Sequence, residues 1–483
     1  MAVLILPWVY PFAGGPSPSV PPWLVTVACA AWVVWLEKEG AALQPCSVAT
    51  GWLLAALLSS GIGLLQYLGV GSNLVPWINA TLAGEAFANL RQRNHFATLT
   101  NIGQLCLLWY MVTSWGHLEK ALVRRILLYV TAAVLAWGNA ASSSRTGLLE
   151  LVAVSGLFWF WGGGRQVPIR GLLFAMLTSY GVAVVCLPLL LGWSPFGHGM
   201  LERISNDEAT CGSRLILWRN VMYLISSHPW QGWGWGELDY AHFMTLYEGP
   251  RFCELLGNAH NLPLHLAVEL GLPVAVLLCS AIVWLIWRAR PWQETDPSRQ
   301  LAWGVLALIA LHSMLEYPLW YGPFQMAVGL CIGLLWRRSS AASALTATSG
   351  GTQVLRVCSV FVLLGVAYAA WDYHRVSQIY LAPEHRATAY RDHTLEKIQG
   401  SWLFRDQVRF AQLTLTPLTP QNASQLNAMA HEMLHFSPEA RVVEKLIDSA
   451  LLLGRDDEAQ TFMRRYQAAY PQAYAAWAGA RKP

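Results

Sequence analysis

His260 lies in the run Gly257-Asn258-Ala259-His260-Asn261-Leu262-Pro263. An imidazole titrates nearest neutrality of the side chains, so it can take a proton from an alcohol at physiological pH. His260 sits between Asn258 and Asn261; asparagine is a good N-cap and Pro263 is tolerated in a first helical turn, so His260 is expected at or near the N-terminus of a membrane-spanning helix. The positive end of its dipole would keep the ring neutral and able to accept a proton. An ordinary interfacial histidine is the alternative use of the same residue. His265, one and a half turns on, is expected to face elsewhere and to be structural. Glu269 is also read as structural, although an acid at membrane depth needs a partner.

Arginines form the second chemical group. Arg91, Arg93, Arg145, Arg203, Arg214, Arg219 and Arg251 fall on one side of the apolar runs, and no lysine occurs between Lys120 and Lys397. A guanidinium offers a fixed fork of donors that matches phosphate oxygens and does not lose its charge. Each arginine alone could pair with a local acid or snorkel to lipid phosphates. Arg91, Arg145 and Arg214 together point to an anionic ligand of the phosphate or diphosphate class. Glu316 and Tyr317 lie in His312-Ser313-Met314-Leu315-Glu316-Tyr317-Pro318-Leu319-Trp320-Tyr321, near membrane depth, where polar groups face a cavity. Tyr317 could contact phosphate or an acceptor, or belong to an aromatic belt. The Gly232-Trp233-Gly234-Trp235-Gly236 run combines glycines, which permit unusual turns, with indole faces on which sugars could stack.

The elements that must position these residues are membrane helices. Of the chain, 55% is hydrophobic and 12% charged, with a mean hydropathy of +0.36. Soluble domains carry about 25% charged residues. The expected class is therefore all-α, a polytopic helical bundle, and the 25 tryptophans suit interfacial anchoring. The formal charge of +4 is too small to suggest nucleic acid. Span-length runs occur near 2–16, 21–36, 50–70, 95–114, 121–140, 145–162, 171–192, 261–287, 301–316, 318–336 and 354–371, giving about 11 spans, or 12. The first run lacks a basic leader and is expected to remain as a span.

With the N-terminus inside, Lys38, Lys120, Arg124, Arg125, Arg165, Arg170, Arg288, Arg290, Arg299, Arg337 and Arg338 fall in inner connectors, as the positive-inside rule requires. The insert 193–259 and the segment 373–483 then face outward. Residues 1–372 form the expected membrane domain, insert included, and 373–483 a separate helical domain. In that domain Leu426 to Phe436, Ala440 to Leu453 and Glu458 to Tyr470 have the spacing of a tetratricopeptide-like helical unit. Cys211 and Cys253 are the two cysteines of the external insert and are expected to form a disulfide in an oxidising compartment, the alternative being two free thiols.

The order Arg91-Gln92-Arg93-Asn94-His95-Phe96-Ala97, Ser143-Ser144-Arg145-Thr146-Gly147, Arg214 to Gly236, His260-Asn261 and Glu316-Tyr317-Pro318-Leu319-Trp320-Tyr321 resembles the bacterial protein O-oligosaccharyltransferases that glycosylate pilins. Those enzymes belong to a superfamily with the O-antigen ligases and polymerases. The resemblance runs from about residue 85 to the end. It implies a polyprenyl-diphosphate-linked glycan donor, an exported acceptor protein with a Ser or Thr hydroxyl, an inner-membrane location and a periplasmic active site. By motif, His260 and Tyr317 would be catalytic, and Arg91, Gln92, Arg145, Arg214, Asn261 and Glu316 would bind substrate. Relatives often read Gln-Pro-Asn-Gln where this chain has Gln92-Arg93-Asn94-His95, so the glutamine role falls to Gln92 or is lost at His95.

The chemistry agrees with the residues. A lipid diphosphate is a good leaving group whose developing charge needs fixed cations. The hydroxyl needs one base, and direct displacement inverts the anomeric centre. No Asp-x-Asp pattern occurs in the outer segments, so the expected reaction uses no metal and no cofactor. Transfer to lipid A core or to a growing O-antigen chain is the nearest alternative. A lipid-linked glycan transporter is the third, but the internal repeats and charge relays of transporters are not visible in the sequence.

Overall fold

A computed structural model describes residues 1–36, 44–118, 122–162, 166–205, 211–336 and 349–481. Lys38, Lys120, Arg165, Arg337 and Arg338, part of the argument for orientation, lie outside the described residues. Every strand-like or helical element among the described residues is a helix. In chain order the α-helices are α1 (Ala2–Val9), α2 (Val20–Leu36), α3 (Pro45–Tyr67), α4 (Arg93–Leu118), α5 (Leu122–Ala141), α6 (Arg145–Phe160), α7 (Val167–Leu190), α8 (Met200–Ser205), α9 (Arg214–Ser227), α10 (Leu238–Met244), α11 (Leu262–Leu270), α12 (Leu272–Ala289), α13 (Pro297–Ser313), α14 (Gly322–Trp336), α15 (Ser349–Ser377), α16 (Thr394–Ile398), α17 (Arg405–Leu415), α18 (Ala423–Phe436), α19 (Ala440–Leu452), α20 (Asp456–Ala469) and α21 (Pro471–Gly479).

The chain divides into two compact units. The first comprises 1–13, 17–207 and 285–368, and the second 14–16, 208–284 and 369–483. In the first, α4 packs on α3, α5, α6 and α13. Phe96, Leu99, Ile102, Leu105 and Leu108 of α4 are buried in a continuous apolar core. Small residues let the helices approach closely: a Cβ on Gly103 would lie 2.6 Å from the Ala56 methyl.

Segments Pro45–Tyr67, Leu122–Ala141, Val167–Leu190, Leu272–Gln293 and Gln353–Tyr380 are each long and apolar enough to cross a membrane, and Val20–Leu36 and Gly322–Trp336 are apolar but shorter. Several apolar helices thus agree with a membrane protein. The first expected span is shorter than the sequence suggests. α1 has 8 residues, about 12 Å of helix, because the backbone at Tyr10, ahead of Pro11, is extended.

The expected helix over 261–287 is broken. α11 ends at Leu270 and α12 starts at Leu272, with Gly271 between them at φ 82°. A Cβ on Gly271 would lie 2.3 Å from the Trp230 carbonyl oxygen, so the break is where a second backbone presses against the chain. His260 therefore precedes a short helix of its own and not a membrane-length one.

In the second unit, α9, α10 and α11 enclose a core that includes Leu217, Val221, Leu256 and Val268. Phe243 of α10 belongs to the core of the C-terminal helices, with Leu426, Met433, Leu446 and Tyr466. α18, α19 and α20 pack in succession, turning at Ser437-Pro438 and after Gly454. Asp372 ties the C-terminal end of α15 to this domain. It is fully buried and accepts hydrogen bonds from Arg375 Nε at 2.6 Å, Ser401 Oγ at 2.9 Å and the Leu403 amide at 3.3 Å.

Candidate functional site

In the first unit three of the sequence motifs meet. Ser144 is the N-cap of α6, and its Oγ accepts from the Gly147 amide at 2.9 Å. The same hydroxyl donates to Asn94 Oδ1 at 2.6 Å, and Asn94 Nδ2 donates to Glu316 Oε1 at 3.0 Å. All three side chains are buried. The result is a directional chain of donors running from the start of α6 to the Glu316 carboxylate, in which each bond polarises the next. Ser143 adopts φ 51°, and the Ser142 hydroxyl accepts from the Ser144 amide at 3.2 Å. The serine run is thus a turn that aims Arg145, the first and exposed residue of α6.

Below it, Thr98 Oγ1 is 2.8 Å from Glu150 Oε1 and 2.7 Å from His312 Nδ1. Asn101 Nδ2 donates to Glu150 Oε2 at 3.0 Å, and Asn139 Nδ2 donates to Asn101 Oδ1 at 2.9 Å. Asn94, Thr98 and Asn101 recur at helical spacing on one face of α4. Burying such groups without partners would cost a few kcal/mol each, and here the side chains of Asn94, Thr98 and Asn101 each find one, at Glu316 or Glu150.

Tyr321 hydrogen-bonds Tyr317 and lies within electrostatic reach of Arg91 and Glu316. Arg91 has φ 59°, and its guanidinium also donates to the Pro11 carbonyl. Gln92 Oε1 accepts from the His95 amide at 2.7 Å and so caps α4. The His95 ring is wholly buried, 3.9 Å from the Tyr321 ring, and neither nitrogen has a hydrogen-bond partner among the described residues.

Arg145 also edges a groove of about 410 Å³ lined by Leu148, Leu149, Val152, Met200 and Ile204. Its guanidinium donates to the Arg203 carbonyl, and Arg203 Nη1 donates to the Ser143 carbonyl at 3.1 Å. A cation thus lines an otherwise apolar groove.

The second unit carries the histidine. His260 is half-buried, at φ 50°, and its amide donates to Asn258 Oδ1 at 2.9 Å. Asn261 is the N-cap of α11, and its Oδ1 accepts from the Leu264 amide at 3.1 Å. Trp218 Nε1 donates to the Ala259 carbonyl at 3.1 Å. Trp218 is one turn after Arg214, so the first turn of α9 is fixed against the residue preceding His260. Ser213 caps α9 through the Ile216 amide at 3.4 Å. Cys211 and Cys253 are joined by a disulfide with Cα atoms 5.4 Å apart. His265 Nε2 lies 3.5 Å from Glu269 Oε2, both buried, so Glu269 has the partner that its position demands.

Three family descriptions match the chain: "Protein glycosylation ligase" over residues 86–110, "O-Antigen ligase" over 130–279, and "Virulence factor membrane-bound polymerase, C-terminal" over 300–483. The "General O-oligosaccharyltransferase" of Acinetobacter baylyi is 24% identical over 389 residues, covering 77% of this chain and 64% of that relative. The "ComP-specific O-oligosaccharyltransferase" of the same organism is 25% identical over 253 residues, covering 52% of this chain and 44% of that relative. The chain is homologous to the O-oligosaccharyltransferases. It spans less than two thirds of the length of the curated relatives that it matches. No solved structure matches it.

The three matched stretches divide the residues expected from the sequence among them. The first holds Arg91, Gln92 and Asn94, the second Arg145, Arg214 and His260, and the third Glu316 and Tyr317. Of the expected residues, Arg91, Glu316 and Tyr317 are connected through Tyr321, and Arg145 is joined to Glu316 through Ser144 and Asn94. Arg214 and His260 are connected through Trp218.

Asn94, Ser144, Tyr321 and Trp218 were not assigned a role from sequence, and neither was the Thr98, Asn101, Asn139, Glu150 and His312 cluster. The polar stripe of α4 was the available signal. Other arginines of the expected group are used locally: Arg93 lies 3.6 Å from Glu85, and Arg251 donates to the Thr245 and His242 carbonyls at 2.8 Å each.

Proposed function

We propose that this chain is an O-oligosaccharyltransferase that moves a glycan from a polyprenyl-diphosphate carrier to Ser or Thr hydroxyls of exported proteins of the pilin kind. The observation that carries the reading is Arg145 lining an otherwise apolar groove. An anionic headgroup with a long hydrocarbon tail is the ligand that such a pairing suits, since the guanidinium binds phosphate oxygens while the trough takes isoprenoid units. Homology to the O-oligosaccharyltransferases supplies the reaction class.

His260 is the general base. As the acceptor oxygen bonds to the anomeric carbon, its proton passes to the imidazole. The carbon–oxygen bond to the diphosphate breaks, and its electron pair leaves on the phosphate oxygen. Arg91, Arg145 and Arg214 supply the fixed cations that stabilise that charge. Asn261 holds the backbone after His260, and Gln92, Glu316 and Tyr317 orient substrate. One displacement gives inversion, without metal. The enzyme lies in the bacterial inner membrane with its site on the periplasmic face, and the tetratricopeptide-like C-terminal helices receive the acceptor protein.

The test mixes purified protein with lipid-linked glycan and either a pilin or lipid A core. Glycan appearing on the pilin, inverted at the anomeric carbon and unaffected by EDTA, is expected. Transfer to lipid A core alone would favour the second reading, an O-antigen ligase, to which the match over residues 130–279 lends weight. Glycan moving across a vesicle membrane without transfer would point to a transporter.

A further inference from the structure

The Gly-Trp run in the second unit displays one indole beside the helix that follows His260. The Trp233 and Gly234 amides donate to the Val268 and Glu269 carbonyls at 2.9 and 3.0 Å. These are last-turn carbonyls of α11, which have no partner within the helix. Gly232, at φ 69°, permits the approach, since a Cβ there would lie 2.3 Å from the Glu269 carbonyl oxygen. The loop returns on itself where the Leu272 amide donates to the Pro229 carbonyl at 2.8 Å.

The two indoles of the run differ. Trp233 points inward: its Nε1 donates to the Leu224 carbonyl at 3.1 Å, and its ring is 4.1 Å from that of His228. Trp235 points outward, 63% exposed, with its ring 6.2 Å from that of His265. His265 in turn is within electrostatic reach of His260. Trp235 therefore lies beside His265 of α11, on a backbone fixed by hydrogen bonds and in the same unit as His260.

We propose that Trp235 is a carbohydrate subsite, stacking a sugar ring of the donor glycan beyond the one that reacts. The inference rests on the proposed transfer reaction with His260 as base. A pyranose presents a face of C–H groups that packs on an indole, while its hydroxyls stay in water or reach polar neighbours. An exposed tryptophan on a rigid loop offers that face with little ordering cost.

The experiment compares transfer to one acceptor from lipid-linked monosaccharide and trisaccharide donors, for the wild type, Trp235→Ala and Trp235→Phe. Trp235→Ala should raise KM for the trisaccharide donor about tenfold more than for the monosaccharide donor, the size of one lost stacking contact. Trp235→Phe should recover most of that difference, because it keeps a ring. Equal changes for both donors in Trp235→Ala, as for a membrane-anchoring indole, would overturn the subsite, and so would no change for either. A melting curve of each variant in detergent separates misfolding from lost affinity. If the wild type transfers neither donor, the proposed reaction fails and not the subsite.

Discussion

Asn94 Nδ2 donates to Glu316 Oε1 at 3.0 Å while Asn94 Oδ1 accepts from Ser144 Oγ at 2.6 Å. One buried amide thus joins the start of α4, the start of α6 and the turn after α13. Asn94→Ala leaves a carboxyl and a hydroxyl buried without this partner, at about 1–3 kcal/mol each. Asn94→Asp exchanges the donor for a second carboxyl beside Glu316. Both should lower the melting temperature in detergent and cut transfer, Asn94→Asp more steeply as pH rises. A variant that melts and turns over like the wild type would remove Asn94 from the machinery.

His260 has φ 50°, a region that asparagine tolerates better than most residues. His260→Asn therefore keeps the backbone but removes the base. The expected result is a fall in kcat of at least about a hundredfold with an unchanged melting temperature. Trp218→Phe removes the donor to the Ala259 carbonyl and keeps the ring. It should cut kcat by about tenfold, since a small displacement of a catalytic group is costly. Near-normal turnover of His260→Asn would exclude His260 as base.

How much of this was legible beforehand depends on the scale of the signal. The helices α3, α5 and α7 follow from long apolar runs, and α9 from Ser213 at its cap. The helix after His260 was expected because Asn261 and Pro263 mark a helix start. Its early end at Leu270 was not, although Gly271 followed closely by Pro273 is a break-and-restart signal. A pattern of hydrophobicity carries no information on which backbone approaches a glycine. The polar network was harder for the same reason. Asn94, Thr98 and Asn101 are visible as a stripe on α4, but their partners Ser144, Glu150 and Glu316 are 49 or more residues away. Such pairings are set by packing, not by local spacing.

Cys211 and Cys253 close a loop with a sequence separation of 42. Constraining such a loop in the unfolded chain is worth about 4 kcal/mol in the chain-entropy account. The loop carries α9, with Arg214 and Trp218, and α10. Cys211→Ser with Cys253→Ser, or treatment with reductant, should lower the melting temperature and reduce transfer. Oxidised and reduced wild type that melt together would show that the bridge contributes nothing.

Asp239 and His242 on α10 impose opposite pH dependences on the second unit. Burial, chiefly, pushes the Asp239 carboxyl up to about 7, with Glu237 adding to it and His435 opposing. Burial and then the Arg251 charge pull His242 down to about 3. The neutral ring fits its neighbours: Nε2 donates to the Phe252 carbonyl at 3.1 Å, which leaves Nδ1 to accept from the Tyr247 hydroxyl at 2.8 Å. Tyr470 and Glu254 line the same small cleft with Arg251.

A carboxyl raised on folding contributes stability that is present below its unfolded value of 3.8 and lost as pH rises to about 7. A histidine depressed on folding contributes stability that is present above 6.5 and lost as pH falls to about 3. Between about pH 4 and 6.5 the two slopes oppose each other. Asp239→Asn keeps an oxygen for the Tyr240 amide, which donates at 2.7 Å, and deletes the falling limb. Its melting temperature should therefore climb through that interval and hold to pH 8, where it should exceed the wild type by a few degrees (roughly 2–5 °C). Superimposable profiles of the variant and the wild type would mean that Asp239 titrates as an ordinary surface carboxylate.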